Sequence, residues 1–178
     1  MQEVKKTIKA IIGLGNPGPK FHWTPHNIGF LIVDELCNQY HGSWQEKKDM
    51  HIATILINNQ KLLLVKPQTF MNLSGQILSQ LQKQGIKQEN LLVIHDEIDY
   101  PFGKITLKDG GSARGHNGLR SLIQHGGDNF LRLRVGVGRP EDRAHVGNFV
   151  TAPFQESEEA VKELIDQAII TMLNSKVY

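Results

Sequence analysis

Histidine, asparagine and aspartate side chains recur beside glycines at the edges of apolar segments in this sequence. Four such segments are residues 13–18 (Gly-Leu-Gly-Asn-Pro-Gly), 26–29 (His-Asn-Ile-Gly), 70–75 (Phe-Met-Asn-Leu-Ser-Gly) and 115–119 (Gly-His-Asn-Gly-Leu). A fifth, His-Asp-Glu at residues 95–97, follows the most apolar predicted strand. These residue types suit a site that holds and polarises a neutral, oxygen-rich substrate, and such sites usually lie in loops between rigid elements.

The simplest catalytic arrangement of these residues is a histidine general base that is oriented by a carboxylate and activates a water molecule. Asparagine amides would then position the water and support the developing oxyanion. The sequence contains no serine in a Gly-x-Ser-x-Gly turn, and Cys37 lies in an apolar part of a predicted helix. A covalent nucleophile is therefore not expected.

The elements that must position these residues alternate between strand and helix. Strands are predicted at residues 8–14, 51–57, 61–65, 91–95, 104–107 and 131–137, with a turn at Asn58 and Asn59. Helices are predicted after an N-cap at Thr24, and at residues 73–84, 117–124 and 155–173. The helix at 73–84 is expected to bury Leu73. This alternation predicts an α/β fold, with a twisted, mixed and largely parallel sheet flanked by helices on both faces.

In an open α/β sheet, ligands bind beyond the carboxyl ends of the strands. Asn16 and Asp96 follow buried predicted strands, so both are expected at that edge. His26, Asn72 and Asn117 lie at predicted helix starts, where free N–H groups and the helix dipole suit an oxyanion or a phosphate. The sequence therefore predicts one polar site at the edge of the sheet.

Length and composition indicate an ordinary globular protein. The chain has 178 residues, of which 39% are hydrophobic and 21% charged, and we expect one domain over residues 1–178. A single cysteine excludes an internal disulfide and fits a reducing compartment. The first residues show neither a signal peptide nor a membrane span. A cytoplasmic monomer is the expected state.

Basic residues are concentrated in the middle of the chain. Residues 104–143 contain eight Lys and Arg against four Asp and Glu, whereas residues 155–178 contain two against five. This distribution indicates either a phosphate-binding surface or a solvated strand face, and charge alone favours the second.

Each motif also has an alternative interpretation. Residues 13–18 match Gly-x-Gly-x-x-Gly, the fingerprint of dinucleotide-binding proteins. Dinucleotide binding is nevertheless not expected, because Pro17 and a further loop precede any helix and no acidic residue ends a second strand at the required distance. His22 and His26 are four residues apart without a third metal ligand at the usual spacing, so a metal site is not expected. His95 and His116 would satisfy backbone groups, and the carboxylates at residues 96–99 lack the pattern of a calcium loop.

Six segments, taken together and in order, strongly resemble bacterial-type peptidyl-tRNA hydrolases. They are residues 13–18, 24–29, 66–75, 95–99, 110–119 and 134–140, and the resemblance covers residues 9–154. It implies a single-domain α/β hydrolase that works without metal or cofactor. The implied reaction cleaves the ester between a peptide and the 3′ end of tRNA, which recycles tRNA from aborted translation.

The resemblance also implies roles for individual residues. His26 would be the general base, Asp96 the residue that orients it, and Asn16 a contact near the scissile ester that helps separate peptidyl from free aminoacyl ends. The implied substrate-binding residues are Phe21, Phe70, Met71, Asn72, His116, Asn117, Lys108 and Arg134. The last two correspond to positions that face the 5′ phosphate of tRNA. Residues 140–153 would form a mobile lid over the cleft.

The chain departs from the family pattern at four positions. Pro25 replaces an arginine, Phe21 a tyrosine, Thr106 a basic residue and Arg114 a glycine. These changes concern the contacts with RNA rather than the predicted His–Asp pair.

Two rival functions remain open at this point. One is a non-catalytic RNA-binding module of the same fold, although such a module has no need of a poised base. The other is a small-molecule esterase that uses the same cleft. Ionic strength separates the esterase from the hydrolase, because tRNA binding weakens steeply with salt and binding of a neutral ester does not.

Overall fold

The computed structural model describes residues 6–178, which form a seven-stranded sheet covered by helices on both faces. The strands are β1 (Ala10–Gly13), β2 (Gln45–Lys47), β3 (Met50–Ile57), β4 (Gln60–Pro67), β5 (Leu91–Glu97), β6 (Ile105–Asp109) and β7 (Leu131–Gly136). Their order in the sheet is β2-β3-β4-β1-β5-β7-β6. The four central strands β4, β1, β5 and β7 run parallel, and the outer pairs are antiparallel. The predicted mixed α/β sheet is confirmed.

Two hydrophobic cores lie on opposite faces of this sheet. The helices are α1 (Ile28–Gln39), α2 (Leu78–Lys83), α3 (Asn117–Gly126), α4 (Val146–Thr151) and α5 (Glu158–Asn174). Helices α1 and α5 cover the face that carries Ile11 and Ile94, whereas α2 and α3 cover the face that carries Ile12 and Val93. Strand side chains alternate between faces, so central strands buried on both sides are apolar throughout. No helix within residues 6–178 is long and apolar enough to cross a membrane.

The segment before α2 differs from its prediction. Residues Met71–Ile77 form a 3-10 helix, and only Leu78–Lys83 are α-helical. A 3-10 helix has three residues per turn, so its apolar positions fall on a different stripe from those of an α-helix. Leu73, which was expected in the core, is consequently 39% exposed. The exposed edge strand β2 was not predicted, because its sequence Gln-Glu-Lys has no apolar pattern.

The start of α1 also differs in detail. A 3-10 turn, Pro25–Asn27, precedes the α-helix, and Thr24 Oγ1 donates a hydrogen bond to the Phe21 carbonyl (2.8 Å) instead of capping the helix. Pro25 occupies the first position of this turn, where a missing N–H group costs nothing. His26 is therefore held in a short turn directly before α1.

Two glycines allow α1 to approach the sheet closely enough to place that turn. A Cβ atom on Gly13 would lie 2.3 Å from the Gly29 carbonyl oxygen, and one on Gly29 would lie 2.4 Å from the Ile94 carbonyl oxygen. Contacts of that length are not tolerated, so larger side chains would push α1 away from β1 and β5. The close approach brings His26 to the carboxyl end of β5.

Candidate active site

A cleft of about 540 Å³ opens at the carboxyl end of β5, between the segment around Phe70 and the loop that precedes α3. This volume is in the range of small-molecule sites. Ten of the eleven predicted site residues line it, namely Asn16, His26, Phe70, Met71, Asn72, Asp96, Lys108, His116, Asn117 and Arg134. The fold thus assembles residues from seven segments of the chain into one place.

Phe21 is the exception: it is not among the residues that line this cleft, and its contact with the substrate stays a prediction. It ends the 3-10 turn Pro19–Phe21, and the Lys20 ammonium lies 5.4 Å from its ring. The hydrogen bond from Thr24 to the Phe21 carbonyl closes this loop locally.

Asp96 lies at the centre of the polar residues and binds two imidazoles. His26 Nδ1 is 2.9 Å from Asp96 Oδ2 and 3.0 Å from Oδ1, and His116 Nε2 is 2.7 Å from Oδ1. Asp96 is 3% exposed. A buried carboxylate requires hydrogen-bond donors, and the two rings supply them.

The hydrogen bonds of His116 determine its protonation. His116 is the N-cap of α3, and its Nδ1 accepts hydrogen bonds from the backbone N–H groups of Gly118 (3.1 Å) and Leu119 (3.3 Å). A nitrogen that accepts carries a lone pair, so the proton of the neutral ring is on Nε2 and is donated to Asp96. One side chain thus caps a helix and binds the carboxylate.

His26 has the complementary arrangement. Its Nδ1 faces the carboxylate and donates, which leaves the lone pair of the neutral ring on Nε2. The side chain is 13% exposed and lines the cleft. His26 therefore presents a basic nitrogen to any molecule bound there.

The pKa values of this pair depend on a competition between burial and hydrogen bonding. Burial favours the neutral form of each group, but the attraction and hydrogen bonds of the two imidazoles hold the pKa of Asp96 well below its ordinary value. Burial likewise opposes protonation of His26, yet the charge and hydrogen bond of Asp96 outweigh it and raise the pKa of His26. Asp96 is therefore a permanent anion that increases the basicity of its neighbour.

Asn16 is fixed by hydrogen bonds to its backbone and to its side chain, and one of the partners, Asn27, was not predicted as a site residue. Its backbone N–H donates to Asn27 Oδ1 (2.9 Å), and Asn27 Nδ2 donates to the Asn16 carbonyl (2.9 Å). The side-chain oxygen of Asn16 accepts from the Met71 N–H (2.8 Å). The Nδ2 group of Asn16 is on the other branch of the amide and takes no part in these three hydrogen bonds. Asn27 is buried directly after His26, and its place in the 26–29 motif was the only sequence indication of this role.

The remaining predicted contacts lie along the rim of the cleft. Asn72 and Asn117 are exposed, and Asn117 Oδ1 accepts from Arg120 (3.2 Å). Phe70 is 61% exposed, whereas Met71 is buried against the second core. The rim thus offers amides and an aromatic face.

Arg134 differs from the expectation of a free phosphate ligand. Its Nε and Nη2 donate to Glu97 Oε2 (3.1 and 2.9 Å), and its guanidinium lies over the Tyr100 ring at 4.4 Å. Burial opposes ionisation of Glu97, but hydrogen bonds from the Asp99 N–H and from Arg134 lower its pKa. The arginine therefore lines the cleft with its charge already neutralised.

Besides Phe21, the other three departures from the family pattern each have a visible structural setting. Pro25 is buried at the start of the turn that carries His26. Arg114 has a φ of 47°, a left-handed conformation that glycine adopts without strain, so the residue it replaces was suited to this position. Thr106 donates to the Tyr100 hydroxyl (3.2 Å).

Similarity to known proteins shows the family of this chain. A sequence model of the family "Peptidyl-tRNA hydrolase" matches residues 10–176. The chain belongs to the peptidyl-tRNA hydrolase family. It is 43% identical to a peptidyl-tRNA hydrolase of Geobacter metallireducens over 172 residues, which cover 95% of this chain and 88% of the relative. It is also 43% identical to that of Rickettsia canadensis over 168 residues, which cover 93% and 89%.

The fold of the family is found in solved structures as well. A crystal structure of peptidyl-tRNA hydrolase from Acinetobacter baumannii superimposes with a TM-score of 0.86 at 36% identity. The match covers 98% of this chain and 89% of that one. Membership in the peptidyl-tRNA hydrolase family thus rests on sequence and structure together.

The His–Asp–His cluster also has the donor types of a metal site, but its hydrogen bonds oppose one. Donor atoms of His26, Asp96 and His116 all lie within 4.8 Å of one another. A metal between them needs a lone pair on His116 Nε2, which moves the proton to Nδ1. There it would meet the N–H groups of Gly118 and Leu119, so metal binding would break the cap of α3.

The segment at residues 140–153 borders the same cleft in this member of the family. It includes α4, whose Val146, Gly147, Val150 and Thr151 line the cleft, and α4 contacts the turn Pro25–Asn27. The position fits a lid, whereas its mobility stays a prediction.

Proposed function

We propose that this protein hydrolyses the ester bond between peptide and tRNA in peptidyl-tRNA, with His26 as general base and Asp96 as the residue that orients it. The observation that supports this most directly is the contact of His26 Nδ1 with the Asp96 carboxylate (2.9 Å), because it leaves the basic Nε2 for the cleft. Release of free tRNA would return it to translation.

The reaction can be written with these groups alone. His26 Nε2 takes a proton from a water molecule as the water oxygen attacks the ester carbonyl carbon. The bond from that carbon to the ribose 3′ oxygen then breaks, and His26 returns its proton to this oxygen. Asp96 stabilises the imidazolium that exists between the two steps.

Asparagine amides support the charge that develops on the carbonyl oxygen. Asn16 is the best-fixed donor, because both its backbone and its side-chain oxygen are bound by neighbours. Asn72 and Asn117 on the rim would position the water and the substrate. Preorganised donors are effective because they need no rearrangement as the charge forms.

Positive charge and an aromatic face would bind the RNA. Lys108 lines the cleft on β6, opposite Arg132 of β7, and would contact the 5′ phosphate of tRNA. Arg134 would share that contact only by exchanging Glu97 for the phosphate. Phe70 offers a stacking surface for an unpaired base, and Met71 and His116 lie beside it in the cleft.

The proposal includes no metal and no cofactor, and the cap formed by His116 is the argument against a metal at Asp96. We further propose that residues 1–178 act as one domain, as a monomer in the cytoplasm. Support for one domain comes from the single sheet that both cores share.

The decisive experiment is hydrolysis of N-acetyl-aminoacyl-tRNA by the purified protein in the presence of a chelator, with unacetylated aminoacyl-tRNA as the control. Selective cleavage of the acetylated substrate supports the proposal. Binding of tRNA without cleavage would assign the protein to RNA binding. Cleavage of small esters that is insensitive to salt and to the tRNA would identify an esterase.

A further inference from the structure

Two buried polar atoms beside the catalytic groups make no hydrogen bond in the structure. Within residues 6–178, the buried side-chain atoms without a partner are Thr69 Oγ1, His95 Nε2 and Arg132 Nε. His95 and Arg132 line the cleft, whereas Thr69 does not. Buried polar groups almost always have a partner, so an exception at a binding cleft points to a ligand.

His95 is a hydrogen-bond acceptor at this position. Its Nδ1 is 2.8 Å from the Asp96 carbonyl oxygen and therefore donates, which leaves a lone pair on Nε2. The residue is 2% exposed, and burial, together with the charge of His116, lowers the pKa of His95 to about 3. The ring is neutral at any working pH, so this lone pair is always available.

Arg132 is the complementary donor. Its Nη1 donates to the Ser112 carbonyl (2.7 Å) and its Nη2 to the Gly111 carbonyl, so both ends of the guanidinium hold the loop before α3. The residue is 3% exposed, and only its Nε–H is left without an acceptor. The side chain is thus rigidly held with one free donor.

The two atoms lie on the same face of neighbouring strands. His95 of β5 is opposite Arg134 of β7, and Arg132 precedes Arg134 by two residues. Residues two apart on a strand share a face. His95 and Arg132 are therefore diagonal neighbours on the sheet surface that forms the wall of the cleft, with Val93 directly opposite Arg132 and Arg134 directly opposite His95. A group that binds both the acceptor and the positively charged donor must span this diagonal.

The group that fits such a pair must be neutral and must carry both an N–H or O–H donor and an acceptor. A peptide amide has both. An ester has no donor, and a free ammonium group has no acceptor and is repelled by the charge of Arg132. Of the groups in a peptidyl-tRNA, the amide of the peptide matches best.

We propose that His95 and Arg132 form an amide-binding subsite, in which His95 Nε2 accepts the N–H and Arg132 Nε–H donates to the carbonyl oxygen of the peptide. This inference rests on the proposed peptidyl-tRNA hydrolase function and names a second determinant, beside Asn16, that separates N-acylated from free aminoacyl ends. An ordered water molecule is the competing occupant, because it also donates and accepts.

The test compares two tRNA substrates that differ by one atom. One carries an N-acetyl amino acid, and the other carries the O-acetyl 2-hydroxy acid, in which an ester oxygen replaces the N–H. If His95 accepts that N–H, the wild-type protein prefers the amide by about three- to tenfold in kcat/KM, the value of one neutral hydrogen bond.

His95→Asn is the informative variant, because the Asn amide can still donate to the Asp96 carbonyl but ends short of the Nε2 position. We expect its preference for the amide to fall to about onefold, and His95→Gln, which carries an oxygen farther out, to restore part of it. Thr69→Val is the matched control: it removes the other unpartnered buried atom and should leave the wild-type preference.

Arg132 provides a second and independent arm. Arg132→Lys keeps the charge and removes the Nε–H. Because both substrates carry the acetyl carbonyl oxygen, this variant should lower kcat/KM for both by about three- to tenfold and leave their ratio close to wild type. Arg132→Gln removes the charge and should raise cleavage of unacetylated relative to acetylated aminoacyl-tRNA by about threefold or more. The Arg132 variants test the subsite even if the His95 variants fold poorly.

The outcomes are distinguishable. Equal amide-to-ester ratios in the wild-type protein and in the His95 variants, together with an unchanged kcat/KM in Arg132→Lys, would assign the two atoms to bound water and overturn the subsite. A wild-type protein that cleaves neither substrate would overturn the proposed function itself.

Discussion

Asp96 and Glu97 are consecutive buried carboxylates at the end of β5, and they have opposite environments. Their side chains project to opposite faces of the strand. Asp96 accepts hydrogen bonds from His26 and His116, whereas Glu97 is bound by the guanidinium of Arg134. The first carboxylate is bound by two imidazole N–H groups, which also donate when the rings are neutral. The second is neutralised by a cation.

The difference explains how one strand end provides both chemistry and structure. A carboxylate held by neutral donors can stabilise an imidazolium that forms during a reaction, since nothing has already cancelled its charge. A carboxylate paired with arginine contributes little to the electrostatic field in the site. Its role is structural, because it holds the arginine side chain in place. The partner, rather than the carboxylate, decides which role each residue has.

Removal of the proposed base should have the largest effect. His26→Ala deletes the imidazole whose Nδ1 is held by the Asp96 carboxylate and whose Nε2 is left for the cleft, so kcat should fall by about 10²–10⁴-fold. Circular dichroism and binding of deacylated tRNA serve as controls and should remain close to wild type. Near-normal turnover of N-acetyl-aminoacyl-tRNA would contradict the role of His26.

Asp96→Asn should be nearly as damaging, by about 10²-fold or more in kcat, because it reverses the tautomer of His26. The cap of α3 keeps the proton of His116 on Nε2, so the single oxygen of the introduced amide must accept it. The NH₂ group of that amide then faces His26 Nδ1, which becomes an acceptor, and the proton moves to Nε2. Nitrogen NMR of the imidazoles would show this change directly.

Glu97→Gln is the matched control at the neighbouring position. It replaces the carboxylate that Arg134 already neutralises, so kcat should change by about tenfold or less. A loss as great as that of Asp96→Asn would show that the two carboxylates are not functionally distinct.

Substitutions of His116 should have a smaller effect on kcat, and they can separate its two roles, the N-cap of α3 and the hydrogen bond to Asp96. Asn is a good N-cap but is too short to reach Asp96, so His116→Asn should lower kcat by roughly tenfold while the melting temperature stays close to wild type. His116→Ala removes the cap as well and should cost about 1 kcal/mol of stability. Equal melting temperatures in the two variants would refute the capping role.

The ion pair of Glu97 should matter more for stability than for turnover. Arg134→Ala leaves a buried carboxylate unpaired and should lower the free energy of unfolding by about 3 kcal/mol in denaturant titrations. The double substitution Arg134→Gln with Glu97→Gln should recover most of this loss.

For RNA binding, Lys108→Ala should reduce the salt dependence of tRNA affinity more than Arg134→Ala, because Lys108 makes no ion pair within residues 6–178. Equal salt slopes would give Arg134 a phosphate contact of its own.

The finest distinction is in the pH dependence. A general base acts when it is neutral, so kcat/KM should rise with pH through the pKa of His26. Asp96 raises that pKa, and the midpoint should therefore lie above the ordinary histidine value of 6.5. Glu97→Gln should leave the midpoint in place, and a midpoint below the ordinary value in the wild-type protein would contradict the coupling to Asp96.

Several features were predictable because they depend on short-range patterns. The turn at Asn58 and Asn59 is confirmed, with both residues at positive φ. Leu73 was placed incorrectly in the core, because it lies in a 3-10 segment that sequence periodicity does not separate from an α-helix. Arg134 was predicted to face the 5′ phosphate of tRNA, and its pairing with Glu97 was not predicted.

The sequence by itself determined the α/β alternation, the edge of the sheet where polar residues gather, and the types of groups found there. Only the tertiary structure decided which nitrogen of each histidine faces Asp96, and that His95 and Arg132 each have one unpartnered atom. His26 and Asp96 are 70 residues apart, so the hydrogen bond between them depends on how closely α1 approaches the sheet. Local patterns fix what each segment becomes, whereas protonation and pairing follow from distances between segments, which no single segment contains.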